Sequence, residues 1–556
     1  MAPHGRRDDV PAGDVDFDVI IVGAGFAGLN ALHRIRGSGR SVVVLEGASG
    51  VGGTWYWNRY PGARVDIESL EYSYAFSEEL QQEWEWPERY SEQPDVLRYL
   101  EWVADRLDLR RDIRFDTHVV SVVFDPATTR WTVTTDDGTT VCARHCVMAV
   151  GFLSATYWPD IPGFDRFRGQ LVHTGAWPRD GVSLLERRVG VIGAGATTVQ
   201  LVPRIAPETG HLTVFQRTPN WCFPMNNMPM PKDYERYVKS IYPEVRNHEY
   251  SNRGAGVVLV GFDVRLPANR SVFDVTPEER EQIYETMWAD CALHVGGAFN
   301  DLMTNIEAND TLREFLERKI RSIVKDPATA ELLIPKNHPP FTRRPCGEHG
   351  YYEAFNRDNV SLVDALNDPI VEITERGLRL QSGAEHELDV LIAATGFDAG
   401  TGGLTRIDIR GRDGTSLKDH WAGGARTHLG MMSHGFPNLF FLNAVQSPSA
   451  FFSPPLLGDY QVCCILRMMN EVEAAGAAAI EPRADAEQAW VEHVNEVVNA
   501  TLLPQANSWW MGANIPGKPR QVVAYAGGFP EYERRAEIAV DGLREYRVLT
   551  RRELLD

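Results

Sequence analysis

Two glycine-rich turns have the residue types and the spacing needed to bind the pyrophosphate of a dinucleotide. The first reads Gly23-Ala-Gly25-Phe-Ala-Gly28, and Glu46 follows eighteen residues past its last glycine. Glycines let the peptide N–H groups at a helix N-terminus approach phosphate oxygens, and a carboxylate at the end of the next strand accepts a hydrogen bond from a ribose hydroxyl. The first turn therefore predicts a dinucleotide site in which Glu46 binds the ribose.

The second turn differs from the first in its third glycine and in the charge that follows it. It reads Gly193-Ala-Gly195-Ala196-Thr197-Thr198, and the next strand ends in Gln216-Arg217-Thr218 without an acid. Thr198 requires a slightly wider approach of helix to strand, while the phosphate-binding turn is retained. Arg217 offers a guanidinium to a 2′-phosphate, so this site is expected to prefer NADPH over NADH. The alternative is that Arg217 is a solvated surface charge.

Each turn lies between a predicted strand and a predicted helix. Strands are predicted at residues 17–22, 41–45, 188–192 and 211–215, with a helix after each turn. The fold class is α/β, with two Rossmann-like dinucleotide-binding domains and a helical insertion. FAD in the first domain and NADPH in the second would let the flavin take hydride from the nicotinamide.

The expected domain limits follow from two apolar strands that end in small-residue turns, at residues 146–151 and 390–396. Between them, Thr276-Pro277-Glu278-Glu279 is typical of a helix start, and Leu312, Phe315, Leu316, Ile320 and Ile323 recur at helical spacing. We expect a disordered leader at 1–16, a discontinuous FAD domain at 17–152 and 388–556, an NADPH domain at 153–224 and 336–387, and a helical subdomain at 225–335.

Composition excludes several classes of protein. The chain has 556 residues and a formal charge of −20, which repels a nucleic acid backbone and an anionic membrane. It has no apolar run of about 18 residues and no secretion signal, so no membrane span is expected. Its seven cysteines form no Cys-x-x-Cys pair, which argues against a disulfide framework and a zinc or other metal site and favours reduced thiols in the cytoplasm.

Five further segments carry bulky, charged or small residues in a distinctive order. Residues 54–57 are predicted to form a loop that covers a cofactor, although their aromatic side chains would equally suit a core. The segments read Gly52-Gly53-Thr54-Trp55-Tyr56-Trp57 with Tyr60-Pro61-Gly62 and Asp66, Phe167-Arg-Gly169 with His173 and Trp177-Pro178, Thr342-Arg343-Arg344-Pro345, Gln446 with Ala450-Phe451-Phe452-Ser453, and Ser508-Trp509-Trp510.

With the two glycine-rich turns, these segments resemble the Baeyer-Villiger monooxygenase family over nearly the whole chain. The similarity is greatest to the phenylacetone and steroid monooxygenase branch. It implies catalytic roles for Arg344 and Asp66, in which a buried Asp66 would hold the Arg344 guanidinium in position. It also implies a structural and gating role for Phe167, Gly169, His173 and Trp177. It further implies cofactor contacts at Gly53, Thr54, Trp55, Tyr56, Trp57, Asp66, Tyr72, Val119, Gln200, Arg343, Gln446 and Trp509, and a substrate pocket at Ala450, Phe451, Phe452 and Ser453.

The resemblance also implies a reaction. A C4a-peroxyflavin would attack a ketone, and a tetrahedral intermediate would rearrange to an ester or lactone while NADP⁺ stays bound. A permanent cation such as Arg344 would stabilise the peroxide and then the alkoxide. The expected partners are O₂ and an aryl, cyclic or polycyclic ketone, and the expected state is a monomer or weak homo-oligomer.

Two alternatives are less well supported by the sequence. A flavin-dependent monooxygenase that oxidises amines or sulfides keeps its peroxide protonated, and Arg344 and Trp177 argue against it. A non-enzymatic flavoprotein that senses NADPH would leave the Asp66 and Arg344 pair without a purpose.

Overall fold

A computed structural model describes residues 16–251 and 269–555, so the predicted leader lies almost wholly outside the described residues. In this part of the chain no helix is long and apolar enough to cross a bilayer. The strands are β1 (Phe17–Val22), β2 (Val42–Leu45), β3 (Ile113–Arg114), β4 (Val119–Asp125), β5 (Arg130–Thr135), β6 (Thr140–Met148), β7 (Gln170–His173), β8 (Arg188–Ile192), β9 (His211–Gln216), β10 (Cys222–Pro224), β11 (Cys346–Glu348), β12 (Val360–Asp364), β13 (Ile370–Thr374), β14 (Gly377–Leu380), β15 (Glu385–Glu387), β16 (Val390–Ala393), β17 (Asp408–Arg410), β18 (Leu439–Phe441), β19 (Ala479–Pro482) and β20 (Tyr546–Leu549).

Helices cover the sheets and build a separate helical region. They are α1 (Phe26–Gly37), α2 (Thr54–Trp57), α3 (Glu78–Glu83), α4 (Gln93–Arg106), α5 (Ala196–Ile205), α6 (Lys232–Ser240), α7 (Tyr242–Tyr250), α8 (Pro277–Cys291), α9 (Ile306–Ile323), α10 (Pro327–Leu333), α11 (Tyr351–Ala354), α12 (Gly402–Thr405), α13 (Leu417–His420), α14 (Pro454–Ala474), α15 (Ala484–Asn499), α16 (Phe529–Val540) and α17 (Arg551–Leu555).

The first sheet has the strand order β17-β4-β5-β6-β1-β2-β3, with β18 beside β6. Strand β1 pairs in parallel with both β2 and β6, and its last four residues are buried. A parallel strand with covered faces needs a continuous apolar run, which the sequence supplies at residues 19–22. The turn after β1 therefore lies at the carboxyl edge of the sheet, where ligands bind in this kind of fold.

The second sheet repeats this arrangement with the order β12-β9-β8-β16-β7, all parallel. Strand β8 lies between β9 and β16, as β1 lies between β2 and β6. The predicted domain boundary at residue 388 is therefore too early, because hydrogen bonds to β8 and β7 place Val390–Ala393 in the second sheet. The chain returns to the first sheet only after β16.

The segment between β10 and β11 is helical in its described residues, and its helix signals are confirmed. The Thr276 hydroxyl accepts a hydrogen bond from the Glu279 backbone N–H at the start of α8, with Pro277 in the first turn. Helix α9 buries Leu312, Phe315, Leu316 and Ile320. The predicted loop at residues 54–57 is instead the single turn α2, which begins after Gly53 at a φ of 53°.

Candidate functional site

The first glycine-rich turn leaves no room for side chains. A methyl group added to Gly28 would lie 1.9 Å from the Gly23 carbonyl oxygen, and one added to Gly23 would lie 2.5 Å from the carbonyl oxygen of Ala149, just past β6. Gly25 is the N-cap residue of α1, and its Cα lies against Gly53. Backbone N–H groups at the start of α1 are thus accessible to a pyrophosphate.

Glu46 lies directly after β2 with its carboxylate buried beside this turn. The carboxylate accepts hydrogen bonds from the Ala24 N–H at 2.6 Å and the Ala48 N–H at 2.8 Å. Burial raises the pKa of Glu46, and the two backbone donors oppose that shift. The side chain is held where a ribose hydroxyl would meet its remaining lone pairs, so the first site fits the adenosine half of FAD.

The second turn has the same construction with two local differences. A methyl group on Gly193 would lie 2.4 Å from the carbonyl oxygen of Ala394, just past β16, whereas one on Gly195 would meet nothing within 4 Å. Thr198 is fully buried, and its hydroxyl has no hydrogen-bond partner among the described residues. The Thr198 hydroxyl thus lies inside the protein, and the cofactor contact of Thr198 stays a prediction.

Two arginines form a cationic site beside the second turn. Arg343 is close enough to Arg217 for their mutual repulsion, together with burial, to lower the pKa of Arg343. Burial and Arg343 also lower the pKa of His338 to about 3. Neither Arg217 nor Arg343 forms a salt bridge within the described part of the chain. Paired cations without an acid fit the 2′-phosphate of NADPH, and Thr218 is partly exposed next to them.

The aromatic turn α2 lies against the first nucleotide site, with Gly53 packed on Gly25. The Trp55 indole N–H donates to the Tyr72 hydroxyl at 3.2 Å, while Thr54 and Trp57 are exposed. Tyr56 is buried, and the guanidinium carbons of Arg59 and Arg179 lie 4.9 and 4.8 Å from its ring centroid. Exposed and partly exposed rings here suit a flavin. Val119 begins β4 with its side chain buried in the core.

Asp66 and Arg344 meet between the two nucleotide sites. The guanidinium of Arg344 donates to Asp66 Oδ2 at 2.6 Å, across 278 positions of sequence. The side chain of Asp66 is 11% exposed and that of Arg344 is 41% exposed, so the carboxylate supports an arginine that faces open space. The contact between the two motifs is as predicted.

The surroundings of the pair favour a charged arginine. Burial opposes the charge, but Asp66, Cys346, Tyr60 and Tyr72 together raise the pKa of Arg344. Burial raises the pKa of Asp66, against the opposing effects of Arg344 and of a hydrogen bond from Gln200. Arg344 therefore keeps its proton at neutral pH and holds a cation at the open end of the pair.

The segment at residues 167–178 lies where the chain crosses between the sheets. His173 ends β7, its Nδ1 accepts from the Gly175 N–H at 3.0 Å, and its Nε2 lies 3.2 Å from the Tyr157 carbonyl oxygen and 3.3 Å from the Thr395 hydroxyl. Burial lowers the pKa of His173. A methyl group on Gly169 would collide with the Phe167 ring, and Trp177 is buried. His173 and Trp177 are thus buried where the chain passes from one sheet to the other, and the structural and gating role of this segment stays a prediction.

Four of the predicted contact residues are buried. Gln446 is fully buried, and its side chain bonds Thr427 and Ala425. Phe451 packs on Trp510 with centroids 4.8 Å apart, and Phe452 stacks on Phe529 at 4.4 Å. Ser453 is buried beside them, and of the predicted pocket residues Ala450 is the partly exposed one. The contacts of these residues with cofactor and substrate stay predictions.

The loop around Trp509 is bound to residues 397 and 398, where the chain leaves the second sheet. Lys518 forms a salt bridge with Asp398 at 2.7 Å, and the Asn514 amide donates to the Phe397 carbonyl oxygen at 2.8 Å. Trp509 is partly exposed with its ring 5.7 Å from that of Phe152. The loop thus packs on the two segments at which the chain passes between the sheets, at residues 152 and 397–398.

Sequence reasoning missed several residues that arrange this site. The Asn220 amide donates to the Arg344 carbonyl oxygen at 3.0 Å, and Tyr60 and Gln200 bond each other beside Asp66. Tyr60 belongs to one of the motifs given above, and Asn220 follows Arg217 by three positions. The position of neither residue in the sequence indicates which atoms it contacts.

Comparisons with known proteins agree with this geometry. The profile of the family described as "Pyridine nucleotide-disulphide oxidoreductase" matches residues 17–238. A Baeyer-Villiger monooxygenase from Pseudooceanicola batsensis is 43% identical over 93% of both chains. A phenazine N-monooxygenase from Lysobacter antibioticus is 40% identical over 94% of this chain and 95% of that relative.

Structural similarity extends over the same length. The solved structure of an oxidized steroid monooxygenase bound to NADP superimposes with a TM-score of 0.89 at 45% identity, covering 96% of this chain and 99% of that one. With paired dinucleotide turns, the Asp66–Arg344 contact and full-length relatives, the chain belongs to the Baeyer-Villiger monooxygenase family.

Proposed function

We propose that this FAD- and NADPH-dependent monooxygenase converts a ketone to an ester or lactone with O₂. The observation that carries the proposal is the Asp66–Arg344 pair, in which a buried carboxylate supports a partly exposed guanidinium between the two nucleotide sites. A sensor of NADPH would need neither group.

Each of the two nucleotide-binding units binds one of the two cofactors. The first turn and Glu46 bind FAD, while Arg217, Thr218 and Arg343 bind the 2′-phosphate of a nicotinamide nucleotide that stays bound during turnover. Once reduced, the bound flavin supplies the electrons that activate O₂ for transfer of one oxygen atom.

Arg344 has the chemistry that ketone oxygenation requires. Its permanent positive charge stabilises negative charge that develops on oxygen at the reacting carbonyl, and its planar donors fix the direction of that interaction. Asp66 holds the guanidinium through one hydrogen bond and leaves the other donors free for the reacting groups.

Exclusion of water is assigned to the loop that carries Trp509. Lys518 and Asn514 hold this loop on residues 397 and 398, next to the return of the chain to the first sheet. Solvent would divert the activated oxygen to hydrogen peroxide, so a closed loop increases the fraction of turnovers that give product.

The proposed substrates are aryl, cyclic or polycyclic ketones. Similarity to the steroid monooxygenase supports a bulky substrate. Phe451 and Phe452 pack away from the cleft, which leaves Ala450 as the small side chain at its wall.

The decisive experiment measures ester formed per NADPH consumed with phenylacetone, cyclohexanone and a 20-oxosteroid. Arg344→Ala should lower the ester yield by about 100-fold or more while FAD stays bound, and Arg344→Lys should restore little of it. Arg236→Ala, at an exposed salt bridge on α6, is the matched control. Ester formation by Arg344→Ala at the wild-type rate would contradict the proposal.

N-oxygenation is a second candidate, because one full-length relative is a phenazine N-monooxygenase. An aromatic N-heterocycle such as phenazine should be assayed beside the ketones. N-oxide formation from phenazine without ester from any of the ketones would replace the proposed reaction with this one.

A further inference from the structure

The side chain of Gln200 links the second nucleotide site to the Asp66–Arg344 pair. Gln200 lies on α5, whose first turn is the predicted NADPH turn. Its Oε1 accepts from the Tyr60 hydroxyl at 2.8 Å, and its Nε2 donates to the Arg64 carbonyl oxygen at 3.2 Å and to Asp66 Oδ1 at 3.4 Å. Gln200 is also buried, so its side chain makes these hydrogen bonds inside the protein and not at the surface of the cleft.

The backbone of the first unit is pressed onto the same residue. A methyl group on Gly62 would lie 2.3 Å from the Gln200 carbonyl oxygen, so the loop at residues 60–66 rests directly on α5. On the other side, a methyl group on Gly347 would lie 2.9 Å from Asp66 Oδ1. The Asp66 carboxylate is therefore confined by Gln200, Arg344 and Gly347.

From this arrangement we infer that Gln200 is a positioning residue, through which α5 sets the placement of Asp66 and so of Arg344. Tyr60 holds the Gln200 amide in the orientation that presents Nε2 to Asp66. The inference deepens the proposed function, and it replaces the predicted direct contact of Gln200 with the cofactor.

Two variants separate positioning from cofactor binding. Gln200→Met keeps the length of the side chain and its helix propensity but removes all three hydrogen bonds, while Tyr60→Phe removes a single hydroxyl. The FAD-loaded enzyme is used throughout. The affinity for NADP⁺, measured by calorimetry, and the rate of anaerobic flavin reduction by NADPH should both stay within about 2-fold of wild type. The product formed per NADPH should fall about 5-fold or more in Gln200→Met and by a smaller factor in Tyr60→Phe. Arg204→Met, on the exposed side of α5 near the same loop, is the control and should leave all three values unchanged.

A third variant gives a signature that a packing role would not produce. Among the described residues, the charged groups that act on Asp66 are Arg344 and Arg64, and Tyr60 interacts with Asp66 in turn; Cys346 lies near Tyr60 and Arg344. Gln200→Met removes a hydrogen bond that lowers the pKa of Asp66, so its product yield should recover as pH rises. Gln200→Glu places a second carboxylate beside Asp66, so its yield should fall as pH rises.

Each result has a defined meaning. A loss of NADP⁺ affinity above about 10-fold in Gln200→Met, or unchanged product yield in both Gln200→Met and Tyr60→Phe, would overturn the inference. Opposite pH trends in the Met and Glu variants would support it, and parallel trends would contradict it. If the wild type makes an N-oxide but no ester, the proposed function is wrong. The role of Gln200 is then tested by measuring the N-oxide formed per NADPH in the same variants.

Discussion

The two nucleotide-binding units have the same strand arrangement but different chemistry at two equivalent points. In the first unit a buried Glu46 follows the second strand, and Gly28 is the third glycine of the turn. In the second unit Arg217 follows the equivalent strand, and Thr198 takes the place of the third glycine. We propose that fold and specificity come from separate residues: the central strands position the turn, and the side chain after the second strand distinguishes a free ribose hydroxyl from a 2′-phosphate.

The largest expected effect comes from breaking the first turn. In Gly28→Ala the new methyl group overlaps the Gly23 carbonyl oxygen, and backbone atoms cannot rotate away. We expect a loss of at least about 3 kcal/mol in the unfolding free energy and little bound FAD in the purified protein. Gly37→Ala, on the same helix with open space around it, is the control; equal FAD content in both variants would contradict the steric argument.

A pH effect is expected from the second unit. Glu348 is buried and accepts from the Gly350 and Tyr351 N–H groups, and burial raises its pKa to about 7. A raised folded-state pKa means that the native state binds the proton more tightly. Stability from this group is thus present below pH 4.5 and is lost as pH rises to about 7, by roughly 3 kcal/mol in all.

The variant Glu348→Gln should remove this slope. Chemical denaturation of wild type and variant at pH 5, 6, 7 and 8 measures the difference directly. A wild-type stability that stays constant relative to Glu348→Gln between pH 5 and 7 would show that the carboxylate is already ionised in the native state over this range.

The specificity of the second site depends on Arg217. Its removal in Arg217→Ala should lower the preference for NADPH over NADH by about 10- to 100-fold, because a charge-assisted contact contributes roughly 1.5–3 kcal/mol. The measurement is kcat/KM for both nucleotides, with the exposed Arg187→Ala as control. An unchanged ratio would assign the 2′-phosphate to Arg343 alone.

The smallest effect is expected at Thr198. The buried hydroxyl has no hydrogen-bond partner in the part of the chain that the structure describes, so Thr198→Val should raise the unfolding free energy by about 1 kcal/mol and leave the KM for NADPH unchanged. A higher KM would show that the hydroxyl reaches the nucleotide after all and that the second turn uses threonine for binding.

The sequence predicts the nucleotide units well because apolar runs and glycine spacing are local signals. Strands β1 and β8 begin and end at the predicted residues, and the α8 cap is formed by Thr276. The Asp66–Arg344 contact came from motif resemblance. Local signals do not reveal which way a loop side chain faces, so they did not indicate that Gln446 and Phe452 are buried against neighbouring residues.

Long-range pairing is the other limit of sequence reasoning. The sequence of strand β16 is an apolar run that would suit either sheet. Its hydrogen bonds to β7 and β8 in the structure are what place it in the second sheet. Gln200 lies in a helix next to a nucleotide turn, where a cofactor contact is the natural expectation. Its actual partners, Tyr60 and Asp66, are more than 130 positions away.

The position of β16 also determines how this chain can be divided. A fragment that ends at residue 387 would lack the strand between β7 and β8, so β7 would have no neighbour and β8 would expose an open edge that promotes aggregation. A fragment built to carry the second nucleotide site must therefore continue through residue 396. The remaining first unit would then be two separate pieces, one ending after β6 and one beginning before β17, which would need a linker to join them.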